Sequence, residues 1–247
     1  MMRRFVADLH VHTLLSPCAA VEMTPRNIVW QAVDHKIDII AITDHNACDN
    51  VPAALEAAKG TTVTVLLGME VESREEVHLL VLFDKMRQMK EWELFTKAHM
   101  SGRLNDAARF GAQFIVDADD NFIAEKNELL LSSLTAGVAE ISAQVKRLGG
   151  ICIASHIDRP VYSIISQLGF IPPDVELAAV EVSRHMNAQD ASVRIPAIGD
   201  LPVITASDAH VMEDFINGPK TAFYLEQPTV GEIRQALLSQ NLRRVVV

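Results

Sequence analysis

The chain has 247 residues, of which 49% are hydrophobic and 22% are charged, and its formal net charge is −10 at pH 7. This length and composition are typical of one large α/β domain, and no apolar run approaches the ~18 residues of a membrane span. The acidic charge argues against a broad basic surface for duplex nucleic acid, and the odd number of cysteines, three, predicts no disulfide framework.

Strand-like and helical segments alternate along the chain, which predicts βα units around a parallel sheet or barrel. The predicted strands are 5–10, 38–43, 62–67, 77–83, 150–155, 178–182, 202–206 and 221–225, and the terminal VVV is expected to pair with an edge. Capping and turn residues predict helices that begin at Thr24-Pro25, span 136–148 and follow Thr229.

The segment 84–134 differs from its surroundings, because apart from His99 it lacks metal-binding residue types and is rich in Met, Lys and Glu. We interpret it as a helical insertion near the barrel mouth, within a single domain 1–247, that caps substrate or forms an oligomer contact. The N-terminus carries two arginines but no apolar signal region, so we expect a cytoplasmic protein with no membrane partner.

A histidine pair, His10 and His12, ends the first predicted strand. Alternate residues of a strand face the same side, so the two imidazoles would form half of a transition-metal site. Further histidines and acids accompany the later predicted strands: Asp44, His45, Glu70, His78, His156, Asp208 and His210. The series predicts a metal-dependent enzyme whose site lies where the loops after the strands converge.

The ordered motifs HxH, TDH, GxE, a strand-borne VH, SH and SDAH resemble the polymerase and histidinol phosphatase (PHP) superfamily of metal-dependent phosphoesterases. The resemblance implies a distorted seven-stranded TIM-like (β/α) barrel and two or three divalent ions of zinc, iron or manganese. It implies one ion at His10, His12, Glu70 and Asp208, a second shared by Glu70 with His78 and His156, and a third at His45 and His210.

The sequence departs from the family pattern at Cys18, where other members supply a histidine or an aspartate. Two interpretations stay open. Cys18 is a thiolate ligand of the third ion, which would favour zinc or iron, or it is an inert thiol and the third ion is weak or absent, with Glu22 as a substitute ligand.

Three acids near the motifs have more than one interpretation. Asp44 is either a metal ligand or a carboxylate that accepts an imidazole N–H, and Asp8 is either such an acceptor or a strand-end residue bound to backbone amides. Glu181 lies in an apolar run, where we expect a structural salt bridge, with a substrate contact as the alternative.

Phosphate recognition needs cations at the barrel mouth. Arg159 and Arg184 follow predicted strands, and a guanidinium grips phosphate through two parallel hydrogen bonds. Arg74 and Lys220 are weaker candidates, and His185 is either a general acid for the leaving group or an exposed residue.

The predicted function is a phosphomonoesterase that hydrolyses a small phosphorylated metabolite or nucleotide through a metal-bound hydroxide. Its predicted catalytic residues are Glu70, Asp208, Arg159, Arg184 and His185. One alternative is an exonuclease or phosphodiesterase acting on oligonucleotides or nucleotides, and another is a non-catalytic PHP interaction module. The expected partner is a small phosphorylated compound or a short nucleotide, not duplex nucleic acid.

Overall fold

Eleven strands and nine α-helices make up the computed structural model, which describes residues 1–247. The strands are β1 (Arg3–Val11), β2 (Ile39–Ile42), β3 (Thr64–Glu72), β4 (His78–Phe83), β5 (Phe114–Val116), β6 (Phe122–Glu125), β7 (Ile151–Ala154), β8 (Ala179–Val182), β9 (Val203–Thr205), β10 (Thr221–Leu225) and β11 (Arg244–Val246). The helices are α1 (Pro25–Asp34), α2 (Val51–Ala57), α3 (Met86–His99), α4 (Ala107–Phe110), α5 (Val138–Leu148), α6 (Ile164–Leu168), α7 (Ala188–Arg194), α8 (Met212–Asn217) and α9 (Val230–Leu237).

Nine of the strands form one curved sheet in the order β11-β10-β1-β2-β3-β4-β7-β8-β9. Seven of them, β1–β4 and β7–β9, make the barrel wall. The wall closes where Ala209, just beyond β9, bridges in parallel to Val11 at the end of β1, with the His12 amide donating to the Ala209 carbonyl at 3.0 Å. The predicted fold class, a distorted TIM-like α/β barrel, is confirmed.

Strand β4 runs antiparallel to both of its neighbours, β3 and β7, whereas the sequence analysis predicted repeated parallel βα units. The connection 73–77 between β3 and β4 is a short turn, and a parallel crossover needs about a dozen residues or more. The reversal places His78 at the start of its strand but at the same barrel end, the mouth, as the carboxyl ends of the parallel strands.

Two hydrophobic clusters lie on opposite faces of the barrel strands. The inner cluster includes Leu66, Leu80 and Ala179, and the larger outer cluster packs the strands against helices such as α1 and α5. Since side chains alternate along a strand, the inner face continues from these apolar residues to Glu70, His78 and Glu181 nearer the mouth. Burial of each large apolar side chain contributes about 1.5–3 kcal/mol.

The insertion 84–134 is only partly helical. It contains the 14-residue helix α3, the short helix α4 and the two-stranded antiparallel sheet β5–β6. Helix α3 buries Met89 and Trp92 in the outer cluster, and the end of the insertion is bound at the mouth, where the Asn46 side-chain amide donates to the carbonyls of Leu130 and Ser132 at 2.9 Å each. Every helix of the structure is too short or too polar to cross a membrane.

Candidate metal centre

The buried carboxylate of Glu70 is the centre of a cluster of imidazoles at the mouth. Strand β3 delivers Glu70 to this position, where its side chain is 1% exposed. Five imidazole nitrogens lie 3.1–3.4 Å from its two oxygens, and they belong to His10, His12, His45, His78 and His156. Side chains from β1, β3, β4 and the loops after β2 and β7 therefore converge on one carboxylate.

The geometry around Glu70 fits bound cations better than it fits hydrogen bonds. Its Oε1 atom is buried and has no hydrogen-bond partner, although nitrogens of His78, His10 and His156 lie within 3.1–3.4 Å. Likewise, the Nε2 atoms of His10 and His12 face each other at 3.1 Å. Imidazole and carboxylate donors that converge in this way form the ligand set of zinc, iron or manganese sites.

Three groups of side chains place ligand atoms within 4.8 Å of one another. They are His10, His12 and Asp208; His45, Glu70 and His78; and His12, His45 and His210. The third group contains His45 and His210, the pair expected for a third ion, together with His12. Cys18 belongs to none of the groups and is exposed.

The histidines of the cluster keep its carboxylates ionised. Burial alone would raise the pKa of Glu70 and Asp208, but the neighbouring histidines, including His10, hold both values well below the usual range. Burial would lower the pKa of His10 and His78, yet the carboxylates around them raise the first well above normal and the second to about 9. Both carboxylates are thus anionic and suited to cations.

Buried acceptors orient the histidines of the first strand. Both carboxylate oxygens of Glu181 lie 3.1–3.2 Å from Nδ1 of His10. Ser16 Oγ lies 3.0 Å from Nδ1 of His12 and donates to Asp44 at 2.7 Å. Each contact occupies Nδ1 and leaves Nε2 facing the cluster, as is usual for metal-binding imidazoles.

These contacts change several sequence-based assignments. Asp44 reaches His12 through Ser16, not directly, and its other bonds come from the Thr13 amide and hydroxyl at 2.7 Å each. Glu181 accepts from His10 and makes no structural salt bridge with Arg or Lys. The sequence analysis missed Ser16, although a hydroxyl four residues beyond HxH was a usable signal.

A second omission is Glu72, which lies on the same face of β3 as Glu70. Its Oε2 is 3.7 Å from Nε2 of His78, while Nδ1 of that imidazole faces Glu70. Ser133, from the end of the insertion, donates a short hydrogen bond to Glu72. The insertion is therefore connected to the cluster through one carboxylate.

Asp8 and Lys220 form a buried ion pair beneath the cluster. Asp8 Oδ2 lies 3.1 Å from Lys220 Nζ, and Asp8 Oδ1 accepts from the Ser207 amide at 3.0 Å. Asp8 thus holds the backbone that carries Asp208. Of its two sequence-based interpretations, this contact matches the strand-end residue bound to backbone amides and not the partner of an imidazole. Lys220 also donates to two backbone carbonyls and is not available to phosphate.

Only one of the two favoured arginines lines the cavity above the cluster. Arg159 lies 2.5 Å from Asp208 and is 37% exposed. Arg184 is bound to Asp214 and the exposed His185 follows it, and neither lines the cavity. The sequence places both arginines after strands, but it does not show that Asp208 of the cluster pairs with Arg159 and Asp214 on α8 pairs with Arg184.

The cavity has a volume of about 280 Å³. Its lining residues are His45, Glu70, Glu72, His78, Leu131, His156, Arg159, Tyr162, Asp208 and His210. Three of them, His156, Tyr162 and Asp208, have positive φ angles of 29°, 59° and 50°. Non-glycine residues rarely adopt such angles, and they concentrate at functional sites where the surroundings hold them.

A family model described as the PHP domain matches residues 8–193. The chain belongs to the PHP domain family. The match covers three quarters of the chain, from β1 to α7, and so includes most of the histidine cluster. The resemblance stated from the motifs is confirmed.

Known structures share this PHP fold. The lesion-specific endonuclease EndoQ from Pyrococcus furiosus aligns with a TM-score of 0.76 at 19% identity, over 99% of this chain and 58% of that one. An endonuclease Q complex with a 27-mer duplex gives 0.75 at 18% identity, over 98% and 58%. A protein from Bifidobacterium adolescentis, assigned as a metal-dependent phosphoesterase, gives 0.60 at 21% identity, over 95% and 96%.

One curated relative is similar in sequence. The 5′-3′ exoribonuclease Rnm of Salmonella typhimurium is 32% identical over 82 residues, which are 31% of this chain and 27% of that protein. The chain thus matches about a quarter of that relative and just over half of EndoQ. PHP membership supports the predicted enzyme class, a metal-dependent hydrolase of phosphoric esters.

The prediction that excluded duplex nucleic acid as a partner is wrong. The endonuclease Q complex holds a duplex with an abasic lesion at its active site, on a fold that aligns with nearly all of this chain, and Rnm is an exoribonuclease. A net charge of −10 describes the whole surface and does not give the local field at one site. The relatives also favour the nuclease alternative over the small-metabolite phosphatase.

Proposed function

We propose that this PHP domain is a metal-dependent phosphodiesterase that cleaves nucleic acid. The observation that carries the proposal is the buried Glu70 carboxylate with five imidazole nitrogens 3.1–3.4 Å away, beside a cavity that Arg159 lines. Paired cations at a bridging carboxylate suit the transfer of a phosphoryl group.

The donor set offers places for more than one cation. His10, His12 and Asp208 would hold one ion, with Glu70 shared between it and an ion at His78 and His45. His156 lies 3.4 Å from the same Glu70 oxygen and would complete the second place. Divalent ions bound there would polarise the phosphate and lower the pKa of an attacking water.

The residues around the ligands have supporting roles. Glu181 and Ser16 contact Nδ1 of His10 and His12, so that both Nε2 atoms face the carboxylates of Glu70 and Asp208. The Nη2 atom of Arg159 contacts the carboxylate of Asp208. The remaining N–H groups of Arg159 can donate to an equatorial phosphate oxygen as negative charge develops on it in the transition state.

Support for a nucleic-acid substrate comes from the relatives. Rnm is named as an exoribonuclease. Endonuclease Q is known in complex with a 27-mer duplex, and its structure aligns with 98% of this chain.

The test uses labelled RNA and DNA oligonucleotides, single-stranded and duplex, with protein loaded with Mn²⁺, Zn²⁺ or Fe²⁺ and a chelated control. We expect metal-dependent cleavage that Glu70→Gln lowers by about 100-fold or more, because the shared ligand is lost. The matched control is Glu91→Gln on the exposed face of α3, which should cleave normally.

Two results would contradict the proposal in different ways. Phosphate release from monoesters without cleavage of any oligonucleotide would remove the nucleic-acid substrate but keep the metal-dependent hydrolase. Full activity of Glu70→Gln would mean that the cluster is not the active site.

A further inference from the structure

Tyr162 lines the cavity but has no part in the hydrolytic machinery described above. Its ring stacks on the imidazole of His78, with the ring centroids 4.7 Å apart and the planes 20° from parallel. The residue is nevertheless 41% exposed. One face of the ring is therefore supported by His78, while other parts of the side chain remain accessible from the cavity.

The backbone at Tyr162 is strained, and hydrogen bonds hold it in place. Its φ angle of 59° is unusual for an aromatic residue. The Tyr162 carbonyl accepts from the His78 amide at 2.9 Å, and the next residue, Ser163, caps α6 by accepting from the Ser166 amide at 3.0 Å. Strain of this kind persists only where the surrounding structure fixes the position, which here aims an aromatic ring into the cavity.

The ring also differs chemically from the rest of the cavity wall. Leu131 and Tyr162 supply its apolar and aromatic surface, and the eight other lining residues are His, Glu, Asp or Arg. The cavity thus combines a highly charged region suited to phosphate with one large, uncharged aromatic ring. A nucleotide has the same two parts, a phosphate and a flat base.

We propose that Tyr162 is a stacking platform for the base of the nucleotide whose phosphate enters the cavity. The inference rests on the proposed nuclease function and names the substrate feature that the site recognises. Stacking on an aromatic ring does not depend strongly on the base sequence, because every base has a π-face. It requires a base that is free of its neighbours, as at a single-stranded end or after extrusion from a duplex.

Support from His78 makes the platform effective, because a ring already held in one orientation loses little freedom when the base binds. The base would extend the existing pair into a three-layer stack. A purely structural role, in which Tyr162 only covers His78, predicts a different result. Removal of such a cover would change the metal content and the binding of every substrate. Removal of a stacking platform weakens the binding of only those substrates that carry a base at that position.

The experiment measures binding, not turnover, by fluorescence anisotropy with metal-loaded protein and hydrolysis-resistant phosphorothioate oligonucleotides, whose integrity is checked after each measurement. Each oligonucleotide is paired with a version in which an abasic spacer replaces the base beside the bound phosphate. Tyr162→Leu removes the ring but keeps an apolar, non-glycine side chain at this position of positive φ, and Tyr162→Phe keeps the ring. Tyr224→Leu, on β10 outside the cavity, is the matched control.

We expect Tyr162→Leu to weaken binding of the base-containing oligonucleotide by about 5- to 100-fold, the range of one base–aromatic stack. Its binding of the abasic version should match that of the wild-type protein, and Tyr162→Phe should stay within about twofold of wild type. Metal content should be the same in all proteins.

Equal weakening of both oligonucleotides by Tyr162→Leu, or a loss of metal in that variant, would overturn the platform and leave the nuclease proposal intact. Failure of the wild-type protein to bind any oligonucleotide would overturn both. The two failures are distinguishable because only the second affects the wild-type protein.

Discussion

Glu181 and His10 are 171 residues apart in sequence, yet both carboxylate oxygens of Glu181 lie 3.1–3.2 Å from Nδ1 of His10 inside the barrel. Strand β8 carries the acid and β1 the histidine. Since neither side chain is exposed to solvent, the contact fixes both the tautomer and the ring orientation of the imidazole.

Replacement of Glu181 should therefore weaken metal binding without removing a ligand. We expect Glu181→Leu to lower metal affinity by about 10- to 100-fold, and Glu181→Gln, whose amide oxygen can still accept from Nδ1, to lose less. Chelator competition gives the affinity, and circular dichroism confirms the fold. Glu176→Leu, at an exposed position before β8, should bind metal as the wild type does.

Ser16 provides a second test of orientation. Ser16→Ala removes the oxygen between His12 and Asp44, so His12 loses its Nδ1 partner while Asp44 keeps two bonds from Thr13. We expect about a tenfold loss of metal affinity. Stability should fall by about 1–3 kcal/mol, because the buried His12 ring and the His45 amide both lose their partner. Ser101→Ala, at an exposed position, is the control. An unchanged metal affinity would mean that the bond does not position His12.

The sequence predicted the ligand candidates because their signal is local. HxH, TDH and GxE each lie at the end of one strand, and a strand places alternate residues on one face. Glu181 and Glu72 lacked such a signal, since their role depends on which strands become neighbours in the barrel. The reversal of β4 was accessible in principle, because the connection 73–77 is too short for a parallel crossover.

The pairing of Arg184 with Asp214 and the wrong exclusion of duplex nucleic acid have a different cause. A loop arginine is available or neutralised depending on an acid elsewhere, here Asp214 on α8, and nothing in the local sequence predicts that contact. The net charge likewise averages over a surface, while binding depends on the few groups that a phosphate touches.

The metal content of a Cys18 variant distinguishes the two interpretations of the third ion. Cys18 is exposed and belongs to none of the three ligand groups. We therefore expect Cys18→Ala to retain the wild-type metal stoichiometry by elemental analysis, with His12, His45 and His210 able to hold an ion without it. Loss of one equivalent in the variant would instead make the thiolate a ligand.

Glu75 gives a prediction about stability and pH at the base of α5. Its Oε2 accepts from the Val138 amide at 3.0 Å, at the first residue of the helix. Partial burial would raise the pKa of Glu75, but hydrogen bonds from the Ser73 side chain and from the backbone amides of Glu75 and Val138 lower it. The ionised form is thus favoured by folding, as expected of an acid at a helix N-terminus.

A lowered pKa in the folded state stabilises the protein above the unfolded value of about 4.3, and this contribution is lost as pH falls through the folded value. At pH 7 we expect Glu75→Gln to lower the free energy of unfolding by about 0.5–2 kcal/mol. Urea unfolding of metal-free protein should show that the difference between wild type and variant shrinks below about pH 4, because protonated Glu75 then resembles the amide. A difference that stays constant into acid would mean that the charge of Glu75 does not stabilise α5.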